Sequence, residues 1–437
     1  MMKDFKSSIL ETKKISIWGI GYLGYTTALR VQSKGFIANI YDFQTKRVDD
    51  LQNGLYPYKV QKESWSKNGE IPLIDISKIN IEQNLGYMFS SKVHIISFPL
   101  IDIDSEQDNQ LSKILKVFIE NKKILSDSLI VFQSVGIPKK IQKTFIDKIK
   151  EHGLNISIAS AFRSDWIIED FFSSSKRIIA GYNSSSLDKI KKLFEVFDLD
   201  YEALSSIEEA EIYENAKSSL QSTISAFFNQ ISIAYPYINV NELSSILLKN
   251  LSLNEIEVTI GSINYKVANA TKHLLSGVEN NNIPSIIQET ESFNLSSILY
   301  YGDLLIRKNI KSVSILGVST KNSLKDIRIS SSIILAEYLN SRGVKIYIND
   351  SNFTKEELNS LLPFAIFFEL KNLKSDAVVV MNNTKEYKFL NQLELDKIGI
   401  SKAQIVIDNV GIFKNFKFEK ETIYHFVGDG NLEGLKK

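Results

Sequence analysis

Residues 13–18, KKISIW, read as a buried strand that runs directly into Gly19-Ile20-Gly21-Tyr22-Leu23-Gly24, and an apolar-periodic helix follows to about Lys34. Few folds accommodate that succession. Gly19 permits a tight turn, Gly21 lets the backbone approach a diphosphate, and Gly24 allows the helix to pack closely on the strand. The helix then presents free N–H groups and the positive end of its dipole to the phosphates. Gly35 ends the helix, and FIANIYD forms a second strand closing on Asp42, 18 residues after Gly24. A carboxylate there accepts from both ribose hydroxyls and repels a 2′-phosphate, which points to NAD rather than NADP. Arg47 pulls the other way, because a nearby arginine can serve a 2′-phosphate. A lone G-x-G-x-x-G is also compatible with a chance glycine-rich turn. The strand before it, the helix after it and the acidic residue beyond weigh against that reading.

Further apolar runs at 93–99 (VHIISFP), 129–135 (LIVFQSV) and 156–162 (ISIASAF) alternate with the helical patterns LSKILKVFIENKK and KKIQKTFIDKIKEHG. Strands alternating with helices predict a parallel, doubly wound sheet over roughly residues 12–200. From Ser206 the pattern changes to about 29 residues without Gly or Pro, ending at Pro236, and helical signals continue to about Lys308. A second α/β pattern begins at Ser312 with VSILGVS, VKIYIND, AVVVMNN and IVIDNV, and it lacks a glycine fingerprint. The fold class expected is therefore α/β, with two Rossmann-like doubly wound domains joined by a long central helix in a helical region. The boundaries expected are 1–203, 204–309 and 310–437.

Composition removes several function classes. Lys+Arg number 52 against 51 Asp+Glu, so no charge excess invites nucleic acid or an anionic membrane. There is no cysteine, which excludes disulfides, thiolate metal sites and a thiol nucleophile. The segment MMKDFKSSILETKK lacks the apolar run of a signal peptide, and no apolar stretch approaches a membrane span, so a cytoplasmic protein is expected. His94, His152, His273 and His425 show no metal-binding spacing, and His94, in an apolar strand, reads as a core residue.

With the glycine loop, Asp42 and Arg47 in place, the chain resembles the nucleotide-sugar dehydrogenases, which include UDP-glucose 6-dehydrogenase and UDP-N-acetylmannosamine dehydrogenase. KRVDDLQNGLYPY resembles that family's helix after the second strand, and SIEEAEIYENAKSSLQSTISAFFNQI the start of its long central helix. ILGVSTKNSLKDIRISSSIILAEYLNSRGVKIYIND resembles its C-terminal K…D-x-R-x-S segment. The resemblance implies an NAD-dependent homodimer acting on a nucleotide sugar, most simply a UDP-sugar, in surface-polysaccharide precursor synthesis. The NAD contacts it implies are Gly19, Ile20, Gly21, Tyr22, Leu23, Gly24, Asp42, Arg47, Phe98, Pro99, Gln133, Ser134 and Arg328. For the nucleotide sugar it implies Lys321 and Arg163.

The reacting positions depart from the family. Its nucleophilic cysteine and nearby aspartate correspond to Lys266 and Ala270, its two glutamates around Arg163 to Ser160 and Ser164, and its helical Lys and Asn to Glu214 and Ser218. Asp165 either caps the following helix or stands in for a lost carboxylate, with capping the more common role of such a residue. Oxidising an alcohol to an acid takes two hydride transfers, and the aldehyde gives up the second only after a nucleophile adds to it. Losing a covalent nucleophile costs on the order of 10⁴-fold in rate. A two-electron oxidation needs only a base and a donor for the developing alkoxide, for which Lys217, Lys266, Tyr265 and Ser134 are candidates. Lys217 also stands one turn from Glu214 as an ordinary surface pair, and Lys266 equally suits a diphosphate as a point charge. Two functions follow: an altered NAD-dependent oxidoreductase, or a non-catalytic relative that binds NAD and a sugar nucleotide as a sensor or partner subunit. A third, an acid-forming enzyme using the aldehyde hydrate, is mechanistically the least favoured.

Overall fold

The computed structural model describes residues 4–56, 66, 70–81, 85–100, 106–163, 165, 168, 176–253, 256–261, 265–276, 285–319, 327, 330–371, 373 and 375–436. The side chains of 106–109, 265–269 and 385 lie outside the description. The chain divides into two compact units, Met1–Ala216 and Lys217–Lys437.

The N-terminal unit is built on β1 (Lys14–Trp18), β2 (Ile37–Tyr41), β3 (Ile79–Asn80), β4 (Val93–Ile96), β5 (Leu129–Phe132), β6 (Ser157–Ser160), β7 (Arg177–Gly181) and β8 (Tyr201–Leu204). Their order is β3-β2-β1-β4-β5-β6-β7-β8. The chain winds outward from β1 in one direction and from β4 in the other, which places the topological switch point between these two strands. Strands β1, β4, β5 and β6 are buried almost throughout, as a sheet covered on both faces requires. The fully parallel sheet predicted by the sequence needs one correction, because β7 runs antiparallel to β6 and β8, parallel to β7, runs with it. An antiparallel strand toward the edge of a mainly parallel sheet is common, and periodicity carries no information on strand direction.

Helix α1 (Phe5–Thr12) precedes β1 and falls where the sequence predicted no element. Phe5 and Ile9 are buried, and Asp4 and Lys6 pair with Lys192 and Glu195 at 2.8 and 2.9 Å. Exposed ion pairs contribute about 0–1 kcal/mol, so burial of the two apolar side chains does most to hold the helix.

The long helix α2 runs over Ile207–Ala234, close to the predicted span. Beyond it, the C-terminal unit contains β9 (Ser312–Leu316), β10 (Lys345–Asn349), β11 (Ile366–Phe367), β12 (Ala377–Val380), β13 (Ile405–Asp408) and β14 (Ile423–Phe426), all parallel in the order β11-β10-β9-β12-β13-β14. Phe228, Val258, Ile298 and Tyr301 from the helical region share one core with Val313 and Ile315 of β9. Both units thus start from the same 3-2-1-4-5-6 winding.

Candidate active site

The helix following β1, Tyr22–Ser33, begins where the glycine loop ends, with Gly21 at its N-cap. Gly19 has φ +98°, a conformation that favours glycine, and its N–H donates to Tyr41 O at 2.7 Å. A side chain at Gly24 would place its Cβ 1.8 Å from Gly19 O. The loop therefore folds onto itself tightly enough that two of its glycines are obligatory.

Asp42 closes the loop from β2. Its carboxylate accepts from Ile20 N and Gln44 N, both at 2.8 Å, and faces Arg47 Nη1 at 3.4 Å. Only 5% of its side chain is open to solvent. A carboxylate has about four acceptor positions, so one remains for a hydroxyl.

The C-terminal unit repeats this closure without the fingerprint. Gly317, at φ +96°, donates to Asn349 O, and Asp350 accepts from Val318 N at 2.7 Å. Asp350 also accepts from Ser319 N, Ser319 Oγ and Asn352 N and is 1% exposed. Three of these donors converge on Oδ2 and one reaches Oδ1, and burial gives the residue a structural role. Asp42 is the more accessible of the two acidic residues, at 7% against 1%.

Around the N-terminal loop, Phe98, Gln133 and Ser134 are buried and Pro99 is exposed. Gln133 Oε1 accepts from Thr27 Oγ1 at 3.0 Å and Ser97 Oγ at 2.9 Å. Thr27 and Ser97 have no signature in the sequence, since a Thr inside a helix and a Ser at a strand end carry no local signal.

Arg163, expected at the substrate, has its guanidinium turned inward, with 2% of the side chain exposed. It donates to Leu23 O and Thr27 Oγ1 at 3.0 Å and pairs with Asp165. Asp165 also meets Arg177 Nη1 at 2.7 Å and Tyr22 Oη at 3.3 Å. Burial raises the Asp165 pKa, but the charges of Arg163 and Arg177 overcome this and hold it well below the usual carboxylate range. The segment that Asp165 was expected to cap lies largely outside the described residues.

On α2, Lys217 is exposed while Glu214 is buried, which separates the two residues expected as a surface pair. Glu214 has one oxygen, and its neighbour Glu211 one oxygen, with no hydrogen-bond partner. The other Glu211 oxygen accepts from Lys139 N at 2.9 Å, and Asn215 donates to Gly136 O. This face of α2 is thus seated on the loop after β5. Tyr265 and Lys266 open the helix Tyr265–Ser276, but their side chains lie outside the description, as do Ser164, Lys321, Asp326 and Arg328.

His94 is a core residue, as expected. Trp18 Nε1 donates to its Nδ1 at 3.3 Å, and burial pushes its pKa down to about 3. Among the described residues, no three His, Asp or Glu are grouped to hold a metal ion, and no helix is long and apolar enough to cross a membrane.

Comparison with known proteins agrees with this architecture. Residues 314–415 match the UDP-glucose/GDP-mannose dehydrogenase family, UDP binding domain. The chain is 22% identical over 429 residues to a UDP-N-acetyl-D-mannosamine dehydrogenase of Methanococcus vannielii, covering 94% of this chain and 95% of that protein. The fold is shared with a UDP-D-ManNAc dehydrogenase from Pyrococcus horikoshii, at TM-score 0.74, 18% identity and coverage of 96% and 100%. It is shared equally with a UDP-glucose dehydrogenase from Pyrobaculum islandicum, at TM-score 0.75, 15% identity and coverage of 95% and 97%. Residues 314–415 thus match the UDP-binding domain of the UDP-glucose/GDP-mannose dehydrogenase family, and the chain is similar along nearly its whole length to a UDP-N-acetyl-D-mannosamine dehydrogenase.

Proposed function

We propose that the protein is an NAD-dependent oxidoreductase acting on a CH–OH group of a nucleotide sugar, most simply a UDP-sugar, in the cytoplasm. The observation that carries this reading is the glycine loop closed by an acidic residue with one acceptor position left. The residues present fit the cofactor: Gly19 makes the left-handed turn, Gly24 packs against it, Gly21 caps the helix whose N-terminus would face a diphosphate, and Asp42, which already holds Ile20 N, would accept from the ribose. Phe98, Pro99, Gln133, Ser134 and Arg328 complete the set proposed to hold it. Bound there, the nicotinamide supplies a two-electron acceptor for hydride. The chain itself must take up the hydroxyl proton and stabilise the developing alkoxide. Lys217, Lys266, Tyr265 and Ser134 are proposed for these roles, with Lys321 and Lys266 on the nucleotide sugar.

Without cysteine, the thiol-dependent route from alcohol to acid is closed, and the reaction proposed is one hydride leaving the alcohol carbon for NAD while the base takes the hydroxyl proton, giving the carbonyl. NADH formation followed at 340 nm, run to completion against known UDP- and GDP-sugars, tests it. One NADH per sugar is expected. Two would show acid formation without a thiol. None, with NAD bound, would support the alternative of a non-catalytic sensor or partner subunit.

Asp42→Ala is expected to weaken NAD binding at least tenfold by calorimetry and to narrow the preference over NADP. Unchanged affinity would displace Asp42 from the ribose.

We also propose a homodimer through α2. Tyr213, Leu220 and Phe227 are exposed at seven-residue spacing, giving one apolar stripe along this helix. Light scattering should give twice the chain mass, and Leu220→Glu with Phe227→Glu should return the monomer.

A further inference from the structure

The interior beneath the glycine loop contains a continuous polar chain that the sequence did not announce. Asp165 sits at its centre and accepts from Arg163 Nε at 3.0 Å, Arg163 Nη2, Arg177 Nη1 at 2.7 Å and Tyr22 Oη at 3.3 Å. Arg163 Nη1 donates to Leu23 O and Thr27 Oγ1, Thr27 Oγ1 donates to Gln133 Oε1, and Ser97 Oγ donates to the same oxygen. Every link is closed within the N-terminal unit. The side chains of Arg163, Asp165 and Arg177 are each at least nine-tenths buried.

The location of these links gives the chain its meaning. Tyr22 and Leu23 belong to the first turn of the helix after β1, and Thr27 is one turn further on. Ser97 and Gln133 immediately follow β4 and β5, at the carboxyl ends where a doubly wound sheet takes its ligand. Arg163 follows β6 and Arg177 opens β7. The chain therefore fastens the helix N-terminus, whose amides would receive the phosphates, to four strands at once. Its bonds are charge-assisted at the core, and burial strengthens them. A helix N-terminus binds an anion well only if its amides are held in place before the anion arrives. Leu23 O, used by Arg163, lies in that same turn, so a shift of the arginine would move the turn itself.

We infer that Arg163 and Asp165 are positioning residues for the diphosphate of the bound dinucleotide, acting through Tyr22, Leu23 and Thr27. The inference rests on the proposed NAD site. It also gives Asp165 a use: its carboxylate locks Arg163 beneath the glycine loop.

The test is calorimetric binding of NAD, ADP and adenosine to the wild-type protein, Tyr22→Phe, Thr27→Val and Asp165→Asn, with melting temperatures recorded alongside. Tyr22→Phe and Thr27→Val remove only hydroxyls, one at the edge of the network and one at its link to Gln133, and keep its charges. They are expected to weaken NAD and ADP at least threefold while leaving adenosine, which has no phosphate, unchanged. Asp165→Asn, if it folds, is expected to weaken NAD and ADP at least tenfold, again sparing adenosine. Equal losses for ADP and adenosine, or NAD affinity unchanged in Tyr22→Phe and Thr27→Val, would overturn the positioning role while leaving the NAD site standing. Wild-type protein that binds no NAD would overturn the NAD site itself, and the positioning role with it.

Discussion

Gly24→Ala is expected to abolish detectable NAD binding and to destabilise the N-terminal unit by roughly 3 kcal/mol or more, at or beyond the upper end of overpacking costs. The added Cβ would lie 1.8 Å from Gly19 O and 2.9 Å from Gly19 C, and both are backbone atoms. No rotamer change relieves such a contact. The helix must lift from β1 or the loop must open, and either movement takes the helix amides away from the phosphates. Gly35→Ala is the control. Gly35 has φ +76° but nothing within 4 Å of its Cβ position, so only the left-handed conformation is penalised, by about 1–2 kcal/mol. Urea unfolding and calorimetry on both variants check the contrast. A Gly24→Ala protein with native stability and NAD affinity would refute the close packing of this turn.

Glu211→Gln is expected to remove a large pH dependence of stability. Glu211 is 1% exposed, and burial pushes its pKa from 4.5 up to about 8, despite the bond from Lys139 N. The folded protein thus keeps this proton up to about pH 8, whereas the unfolded chain releases it near pH 4.5. The stability linked to this group is fully present below about pH 4.5 and is lost as pH rises through about 8. At about 1.4 kcal/mol per unit, the loss is on the order of 5 kcal/mol. Glutamine copies the shape of the protonated acid and does not titrate, so the variant should be the more stable protein at pH 8–9 and show a flatter profile. Denaturant midpoints from pH 5 to 9 measure this. Parallel profiles for the two proteins would show that Glu211 is ionised throughout.

These two residues illustrate how far the sequence could be read. Gly24 was legible because its constraint is local: a strand, a tight turn and a helix within a dozen residues permit only glycine. Glu211 was not. It occupies an ordinary position in a helical run, and its burial against the loop after β5 comes from a segment some 70 residues earlier. Arg163 shows the same limit. Its motif invited a substrate contact, and its actual partners, Thr27, Leu23 and Asp165, are fixed by how four strands stack side by side.

By itself the sequence determined the alternation of strands and helices, the loop that turns between β1 and its helix, the acidic residue that closes it, and the absence of a thiol. Each depends on backbone geometry over a few residues or on composition alone. Only the tertiary structure decided the reversed direction of β7 and β8, the docking of α1, the buried Asp350 turn that copies Asp42, and the buried network beneath the glycine loop. Those features depend on which distant charges and donors are removed from water together. Burial turns an ordinary arginine or glutamate into a strongly constrained one, and burial is a property of the packed chain.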